Sequence, residues 1–190
     1  MTTALLIVDV QNDFTEGGAL AVTGGDAVAA GVTRHLAEHG AQYALIAASR
    51  DWHDPDSDNS GHLAEAPDYV DTWPAHCVAG TEGAEYDPGL NTEPIDVHVR
   101  KGQGIPAYSA FEGRTDDGAT LLEKLTSAGI TDLDVVGLAT DHCVRASALD
   151  ARAAGLDVRV LLELCAGVAE DTTEAALAEL REAGVELVAG

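Results

Sequence analysis

The sequence predicts an α/β protein with three layers, in which helices cover both faces of a mostly parallel, six-stranded β-sheet. Two patterns predict it: short apolar runs alternate along the chain with amphipathic segments, and glycine follows nearly every amphipathic segment. The apolar runs are mostly continuous, as is typical of parallel strands covered on both faces. A chain of 190 residues fits one domain, here 1–190, with right-handed crossovers between the strands.

The strands and helices follow from these patterns in chain order. The predicted strands are the apolar runs Ala4–Val8, Tyr43–Ala48, Ile95–Val99, Asp134–Leu138, Val158–Leu162 and Val185–Val188. Helices are predicted where apolar residues recur every three or four positions: Asp26–His39, Ala119–Ser127, His142–Ala154 and Thr173–Ala183. Residues 50–94 lack clear periodicity, and a loop of that length in a compact domain usually has a function.

Composition excludes several classes of partner. The formal net charge is −23 with only ten Lys and Arg residues, so the surface repels nucleic acid and anionic lipid. No apolar stretch approaches the roughly 20 residues of a membrane-spanning helix. Three cysteines, an odd number, and the absence of a signal-type leader predict free thiols in the cytoplasm.

The acidic excess itself suggests adaptation to molar salt, because salt screens repulsion between carboxylates. An ordinary acidic protein from a GC-rich genome is the alternative. Under the salt hypothesis, we expect helicity measured by circular dichroism to rise between dilute buffer and molar KCl. Full helicity in dilute buffer would count against it.

Reactive side chains follow four of the predicted strands. Asp9 follows the first, Asp51 the second, Lys101 ends the third, and Cys143 follows the fourth within GLATDHCVRA. Because ligands of parallel sheets bind beyond the carboxyl ends of the strands, these side chains are expected to converge. Cys143 near a helix N-terminus is expected to have a lowered thiol pKa, which suits a nucleophile. The alternative is a small buried apolar residue, the usual state of a free cysteine.

A second group of residues suits a metal ion. Asp51 and His53 are two apart, so in an extended segment their side chains leave the same face, and His62 and His76 follow in the same loop. Three imidazoles and a carboxylate suit Zn²⁺ or Fe²⁺ and leave positions for water or a ligand nitrogen. The alternative is a set of surface histidines, because the spacing matches no zinc finger or ribbon.

Four ordered blocks resemble one family along nearly the whole chain. They are LLIVDVQNDFTEGGALAVTGG, PDYVDTWPAHCVAGTEGA, KGQGIPAYSAFEG and VVGLATDHCVRASALDA. The sequence resembles the nicotinamidases, also called pyrazinamidases, of the isochorismatase-like cysteine hydrolase superfamily. The resemblance implies the strand order 3-2-1-4-5-6 and a metal-dependent hydrolysis of nicotinamide to nicotinate and ammonia, a step of NAD salvage.

The same resemblance assigns the catalytic residues. Asp9 would be the general base, Cys143 the nucleophile, and Lys101 would stabilise the charged pair. The backbone N–H groups of Ala139 and Cys143 would form the oxyanion hole, next to a cis peptide bond between Leu138 and Ala139.

The resemblance also assigns ligands and pocket residues. A single Zn²⁺ or Fe²⁺ ion, with Mn²⁺ as a third candidate, would bind Asp51, His53, His62 and His76 and hold the pyridine nitrogen of the substrate. The family's commoner spacing would put the second histidine at Asn59. His62 is preferred, because HLAEAPDYVDTWPAHC keeps the family spacing when counted backwards from WPAHC. The pocket would be lined by Phe14, Leu20, Trp73, Ala107 and Tyr108.

Two further hypotheses remain open at this point. A related cysteine hydrolase could act on another small amide, such as an N-carbamoyl compound, or on isochorismate; such relatives commonly lack the three histidines. A module that only binds a metabolite is a different class, and it would have no need of a nucleophile. Whether the protein is a monomer or a homo-oligomer is not indicated by the sequence.

Overall fold

The computed structural model describes residues 2–189, in which six strands form a single sheet. The strands are β1 Thr3–Val8, β2 Leu45–Asp51, β3 Val97–Lys101, β4 Asp132–Leu138, β5 Asp157–Ala166 and β6 Glu186–Val188. Their order is β3-β2-β1-β4-β5-β6, and every neighbouring pair is parallel. The predicted fold class and strand order are therefore confirmed. The first and last residues of the predicted domain 1–190 lie outside the described residues.

Four α-helices pack on the two faces of this sheet. They are α1 Gly25–His39, α2 Leu121–Ser127, α3 Arg145–Ala153 and α4 Glu170–Glu182. Side chains of β1 alternate between the faces: Leu5 and Ile7 join the apolar cluster under α1, whereas Leu6 joins the cluster that includes residues of α2, α3 and α4. This alternation within a continuous apolar run explains why β1 is buried on both faces.

Three strands extend past their predicted ends, and one of them, β5, reaches Ala166 rather than Leu162. β2 and β3 run on through Asp51 and Lys101, although the apolar runs in the sequence stop at Ala48 and Val99. The ladder continues because the charged side chains at these strand ends are buried against one another rather than exposed to water. The sequence predicts that Asp51 follows β2, but in the structure Asp51 is the last residue of this strand.

The predicted helix His142–Ala154 is also corrected. Residues Thr140–Val144 form a π-helical turn, and the α-helix begins only at Arg145. The Ala139 carbonyl accepts hydrogen bonds from the N–H groups of both His142 (3.0 Å) and Val144 (3.1 Å), so the first turn is wider than an α-helical turn.

Residues 50–94 form the long connection that the sequence predicts between β2 and β3. Two short parallel bridges, His53 with Val78 and Leu63 with Trp73, order this connection, together with a 3-10 turn at Glu82–Ala84.

None of the helices within residues 2–189 combines the length and the apolar character that crossing a bilayer requires.

Candidate active site

The register of β2 and β3 brings two buried charges together. Asp51 and Lys101 are directly paired residues at the ends of these parallel strands. The Lys101 ammonium donates hydrogen bonds to Asp51 Oδ1, to the Ala107 carbonyl (3.2 Å) and to Cys143 Sγ (3.5 Å), and it forms an ion pair with Asp9 Oδ2 (2.8 Å). Three side chains that are far apart in the sequence, together with one backbone carbonyl, thus meet around the Lys101 nitrogen.

Asp9 reaches this group because β1 and β4 approach each other closely. Gly137 in β4 has φ +116°, and a Cβ there would lie 2.1 Å from the Val8 carbonyl oxygen. Asp9 itself has φ +48°, an unfavourable backbone conformation for a residue other than glycine. Its carboxylate also accepts a hydrogen bond of 2.7 Å from Ser49 Oγ. The close strands and the turned backbone place Asp9 Oδ, Asp51 Oδ and Cys143 Sγ within 4.8 Å of one another.

The buried charges perturb each other's protonation. Burial disfavours the charged form of Asp51, but Lys101 and then His53 and His76 outweigh it and hold the Asp51 pKa well below its ordinary value. Burial raises the pKa of Asp9, with Asp51 adding to this effect and Lys101 opposing it. At neutral pH, Asp51 is therefore the permanent anionic partner of Lys101, while Asp9 is the carboxylate better suited to exchange a proton.

The expected low pKa of Cys143 is wrong. Burial raises the thiol pKa well above its ordinary value; Lys101 opposes the shift, while Asp9 and Asp51 strengthen it. A helix N-terminus favours a thiolate, but burial of the sulfur and two neighbouring carboxylates disfavour it. The resting nucleophile is thus a thiol, which needs a neighbouring base to accept its proton. The Asp9 carboxylate lies close enough to the sulfur to be that base.

Three buried imidazoles lie next to the Asp–Lys–Cys group. One nitrogen each from His53, His62 and His76 lies within 4.8 Å of the other two. The Nε2 atoms of His53 and His76 are 3.2 Å apart, and both are 3.7 Å from Asp51 Oδ2. Burial, and then the neighbouring imidazoles, lower the pKa of His62 to about 4, so His62 is neutral at pH 7.

The hydrogen bonds of these imidazoles fit a bound cation. His53 Nδ1 lies 2.9 Å from the Gly102 carbonyl and His76 Nδ1 lies 2.8 Å from the Pro74 carbonyl, so both Nδ1 atoms must carry the proton. Their Nε2 atoms then face each other at 3.2 Å, an arrangement that a cation bound between the two rings would stabilise. Two nitrogens bound to one tetrahedral Zn²⁺ are roughly this far apart. His62 Nδ1 is also buried without a hydrogen-bond partner among the described residues.

The long loop places His62, and not Asn59, beside the other two histidines. Asn59 is buried but points its amide at backbone groups of the loop and of Gly104. The His62 backbone is instead linked to Trp73, because the His62 carbonyl accepts a 2.9 Å hydrogen bond from the Trp73 N–H. Cys77, adjacent to His76, places its sulfur near the Gly83 carbonyl (3.9 Å), away from the imidazoles.

A cavity of about 550 Å³ opens onto both groups. Its lining includes Cys143 and Ala139 as well as Asp51, His62 and His76. The five predicted pocket residues all line it as well: Phe14, Leu20, Trp73, Ala107 and Tyr108. Trp73 Nε1 donates a 3.0 Å hydrogen bond to the Tyr108 hydroxyl, which fixes the two rings as a wall. The cavity suits a flat aromatic molecule that carries polar groups.

The expected backbone feature beside the nucleophile is present. The peptide bond between Leu138 and Ala139 is cis. The residues before and after Cys143 in the sequence, His142 and Val144, both donate their backbone N–H groups to the Ala139 carbonyl.

Several residues of the site were missed by sequence reasoning. Gln11 is fully buried, and its side-chain amide forms two hydrogen bonds with the Asp51 backbone. The amide nitrogen donates to the Asp51 carbonyl (2.9 Å), and the amide oxygen accepts from the Asp51 N–H (2.8 Å). Its signal in the sequence was a polar residue two positions after Asp9, just past the end of the first apolar run. Asp141 accepts hydrogen bonds from the Val168 N–H (2.9 Å) and the Thr172 hydroxyl, which ties the turn of Cys143 to another wall of the cavity. Asp141 gave no comparable signal.

Fold and site together define an α/β protein that gathers a buried thiol, an ammonium and carboxylates at its strand ends, beside three imidazoles. Residues 3–189 match the isochorismatase domain family. The nicotinamidase/pyrazinamidase of Mycobacterium tuberculosis is 52% identical over 185 residues, covering 97% of this chain and 97% of that protein. The chain belongs to the isochorismatase family.

Solved structures of similar proteins share the fold over the full chain. The pyrazinamidase of Pyrococcus horikoshii in complex with zinc has a TM-score of 0.84 and 34% identity, with 100% of both chains covered. PnC1 from L. infantum in complex with nicotinate has a TM-score of 0.83 and 36% identity, covering 100% of this chain and 96% of that one.

Proposed function

We propose that the protein is a metal-dependent nicotinamidase that converts nicotinamide and water to nicotinate and ammonia. The observation that carries the proposal is the cavity itself, whose lining includes both Cys143 and two of the three clustered histidines, His62 and His76. A pyridine ring with a carboxamide at its 3-position offers a reactive carbon for the sulfur and a ring nitrogen for an ion held by the histidines. The curated relative at 52% identity is a nicotinamidase/pyrazinamidase, which supports the same substrate class.

In this mechanism Asp9 moves the protons. Asp9 accepts the proton of the Cys143 thiol as the sulfur attacks the carboxamide carbon, and it returns that proton to the nitrogen that leaves as ammonia. The nicotinoyl group is then held as a thioester on Cys143. Asp9 next accepts a proton from the attacking water and returns it to the sulfur as the C–S bond breaks, which restores the thiol. The product leaves as nicotinic acid, which loses its proton to solvent and becomes nicotinate.

Two further features stabilise charge during these steps. The N–H groups of Ala139 and Cys143 bind the oxygen that becomes negative in each tetrahedral intermediate. Lys101 lies 2.8 Å from Asp9 and 3.5 Å from Cys143, so its charge offsets the negative charge that passes between them. Because Asp51 also contacts Lys101, the ammonium is held in place throughout.

Asp51, His53, His62 and His76 would hold one divalent ion. When bound, the ion supplies a Lewis-acidic site for the pyridine nitrogen and so orients the ring. Three imidazoles and one carboxylate suit Zn²⁺ or Fe²⁺, with Mn²⁺ as a third candidate. The Trp73–Tyr108 wall and Phe14 line the cavity that would hold the ring. Pyrazinamide, which keeps a nitrogen at the matching ring position, is proposed as a second substrate.

The substrate range tests this proposal. We expect ammonia release from nicotinamide and pyrazinamide, with kcat/KM for benzamide lower by at least about 100-fold, because benzamide has no ring nitrogen for the ion. The measurement is a coupled ammonia assay on the three amides at equal concentration. Equal turnover of benzamide and nicotinamide would contradict the role given to the histidines.

Metal removal provides a separate test. Chelation is expected to abolish turnover of nicotinamide, and Zn²⁺, Fe²⁺ or Mn²⁺ added to the stripped protein is expected to restore it. Metal content is checked by elemental analysis before each assay. Unchanged turnover by protein verified to be metal-free would exclude the proposed ion.

The cellular setting is part of the same proposal. Cys77, Cys143 and Cys165 are free thiols, which favours a reducing compartment such as the cytoplasm. The proposed partner is the small-molecule substrate. The protein would act on it as a monomer or as a homo-oligomer.

A further inference from the structure

Asn59 is a buried residue in an exposed part of the long loop. Its side chain is fully buried, whereas residues 55–58 before it and Ser60 and Gly61 after it are exposed. The amide oxygen accepts hydrogen bonds from the N–H groups of Asp54 (2.8 Å) and Gly104 (2.9 Å). The amide nitrogen donates to the carbonyls of Asp54 (3.1 Å) and Ser57 (3.2 Å). Every hydrogen-bonding position of this side chain is therefore used.

The Asn59 side chain joins two parts of the site. On one side it closes the loop between His53 and His62, and the His62 N–H donates to the Asn59 carbonyl (3.3 Å). On the other side it binds Gly104, three residues after Lys101. The Ser60 hydroxyl reinforces this link by donating to the Gly104 carbonyl (2.8 Å).

The segment Gly102–Gly104 is held by the loop at both ends. His53 Nδ1 donates to the Gly102 carbonyl (2.9 Å), and Gly104 is bound by Asn59 and Ser60. Gly102 has φ +75°, and a Cβ there would lie 2.7 Å from His53 Cε1, so the segment and the imidazole are in direct contact. A movement of this segment would therefore turn the His53 ring.

We propose that Asn59 is a positioning residue for the cation site: it sets the spacing between His53 and His62 and fixes both to the segment that follows Lys101. The inference rests on the proposed function, in which these histidines hold a divalent ion. Groups that orient metal ligands affect affinity even though they never touch the ion, because the ligands otherwise lose freedom on binding. A carboxamide is required, since the position faces two N–H donors and two carbonyl acceptors.

Zinc affinity is the most direct test. Metal-free protein is titrated with Zn²⁺ against a chromophoric chelator for the wild type, Asn59→Ala, Asn59→Asp and the control Asp56→Ala, which changes an exposed residue of the same loop. We expect both Asn59 variants to bind zinc at least about tenfold more weakly, and the control to stay within about twofold of wild type. At saturating Zn²⁺, kcat of Asn59→Ala is expected to recover, which a general loss of folding would not allow.

The outcomes separate this inference from the proposed function. Equal zinc affinity of wild type and Asn59→Ala overturns the role of Asn59 alone. Weaker zinc binding by the variant, in an enzyme that does not hydrolyse nicotinamide, overturns the function and leaves the role of Asn59 supported. A wild type that binds no zinc overturns both.

Hydrogen exchange of the wild type gives a second test that needs no variant. The Gly104 amide is expected to exchange at least about 100-fold more slowly than the amide of exposed Gly61, because the Asn59 oxygen protects it. Exchange of the two amides at similar rates would overturn the proposal, even if the Asn59 variants fail to fold.

Discussion

Replacing Cys143 with alanine is expected to lower ammonia release from nicotinamide by at least about 10⁴-fold, because the thioester can no longer form. Binding should survive, since the histidines and the aromatic wall are unchanged. The measurement pairs an ammonia assay with calorimetric titration of nicotinate into the zinc-loaded variant. Loss of turnover together with retained nicotinate binding is the expected combination.

The chain supplies a matched control for this substitution. Cys165 lies in β5, and burial raises its thiol pKa to about 12, so it is a protonated thiol outside the cavity. Cys165→Ala is expected to keep turnover within a few-fold of wild type. Turnover close to wild type in Cys143→Ala would refute covalent catalysis by this sulfur.

Replacing Lys101 with methionine is expected to destabilise the protein by about 3–5 kcal/mol and to reduce turnover by about 10³-fold or more. Lys101 is fully buried, and its removal leaves Asp9 and Asp51 without the cation that offsets their burial. Methionine keeps most of the aliphatic stem, so the loss is mainly electrostatic. The free energy of unfolding is measured by urea titration with chelator present, which removes any contribution from bound metal.

The chain contains only one other lysine, and it provides the control. Lys124 pairs with Asp117 at 2.6 Å, but both side chains are partly or largely exposed. Lys124→Met is therefore expected to change the free energy of unfolding by less than about 1 kcal/mol. A similar small effect for Lys101→Met would show that the buried ion group does not depend on Lys101.

The fold was predictable from the sequence because the strands are continuous apolar runs and the helices end at glycines. Strand ends were less predictable: β2 and β3 continue through Asp51 and Lys101 because their charges are satisfied by partners from other strands. A prediction based on apolar runs ends each strand at its first charged residue. Partners that arrive from separate elements are not visible in a local pattern.

The site was predictable in its residue types but not in its electrostatics. The sequence names the residues that surround Lys101 and the three histidines that cluster, including the choice of His62 over Asn59. It did not foresee the raised pKa of Cys143, because that depends on burial and on Asp9 and Asp51 in three dimensions. The supporting roles of Gln11 and Asn59 depend on backbone groups, which a sequence does not display.

The most direct test of the central claim is a crystal structure of the zinc-loaded protein with pyridine-3-carbaldehyde, whose carbonyl can accept a thiol but has no leaving group. We expect a covalent bond from Cys143 Sγ to the carbonyl carbon, with the ring nitrogen directed at an ion held by His53, His62 and His76. An aldehyde bound without a bond to Cys143, or an ion bound away from these three histidines, would contradict the account.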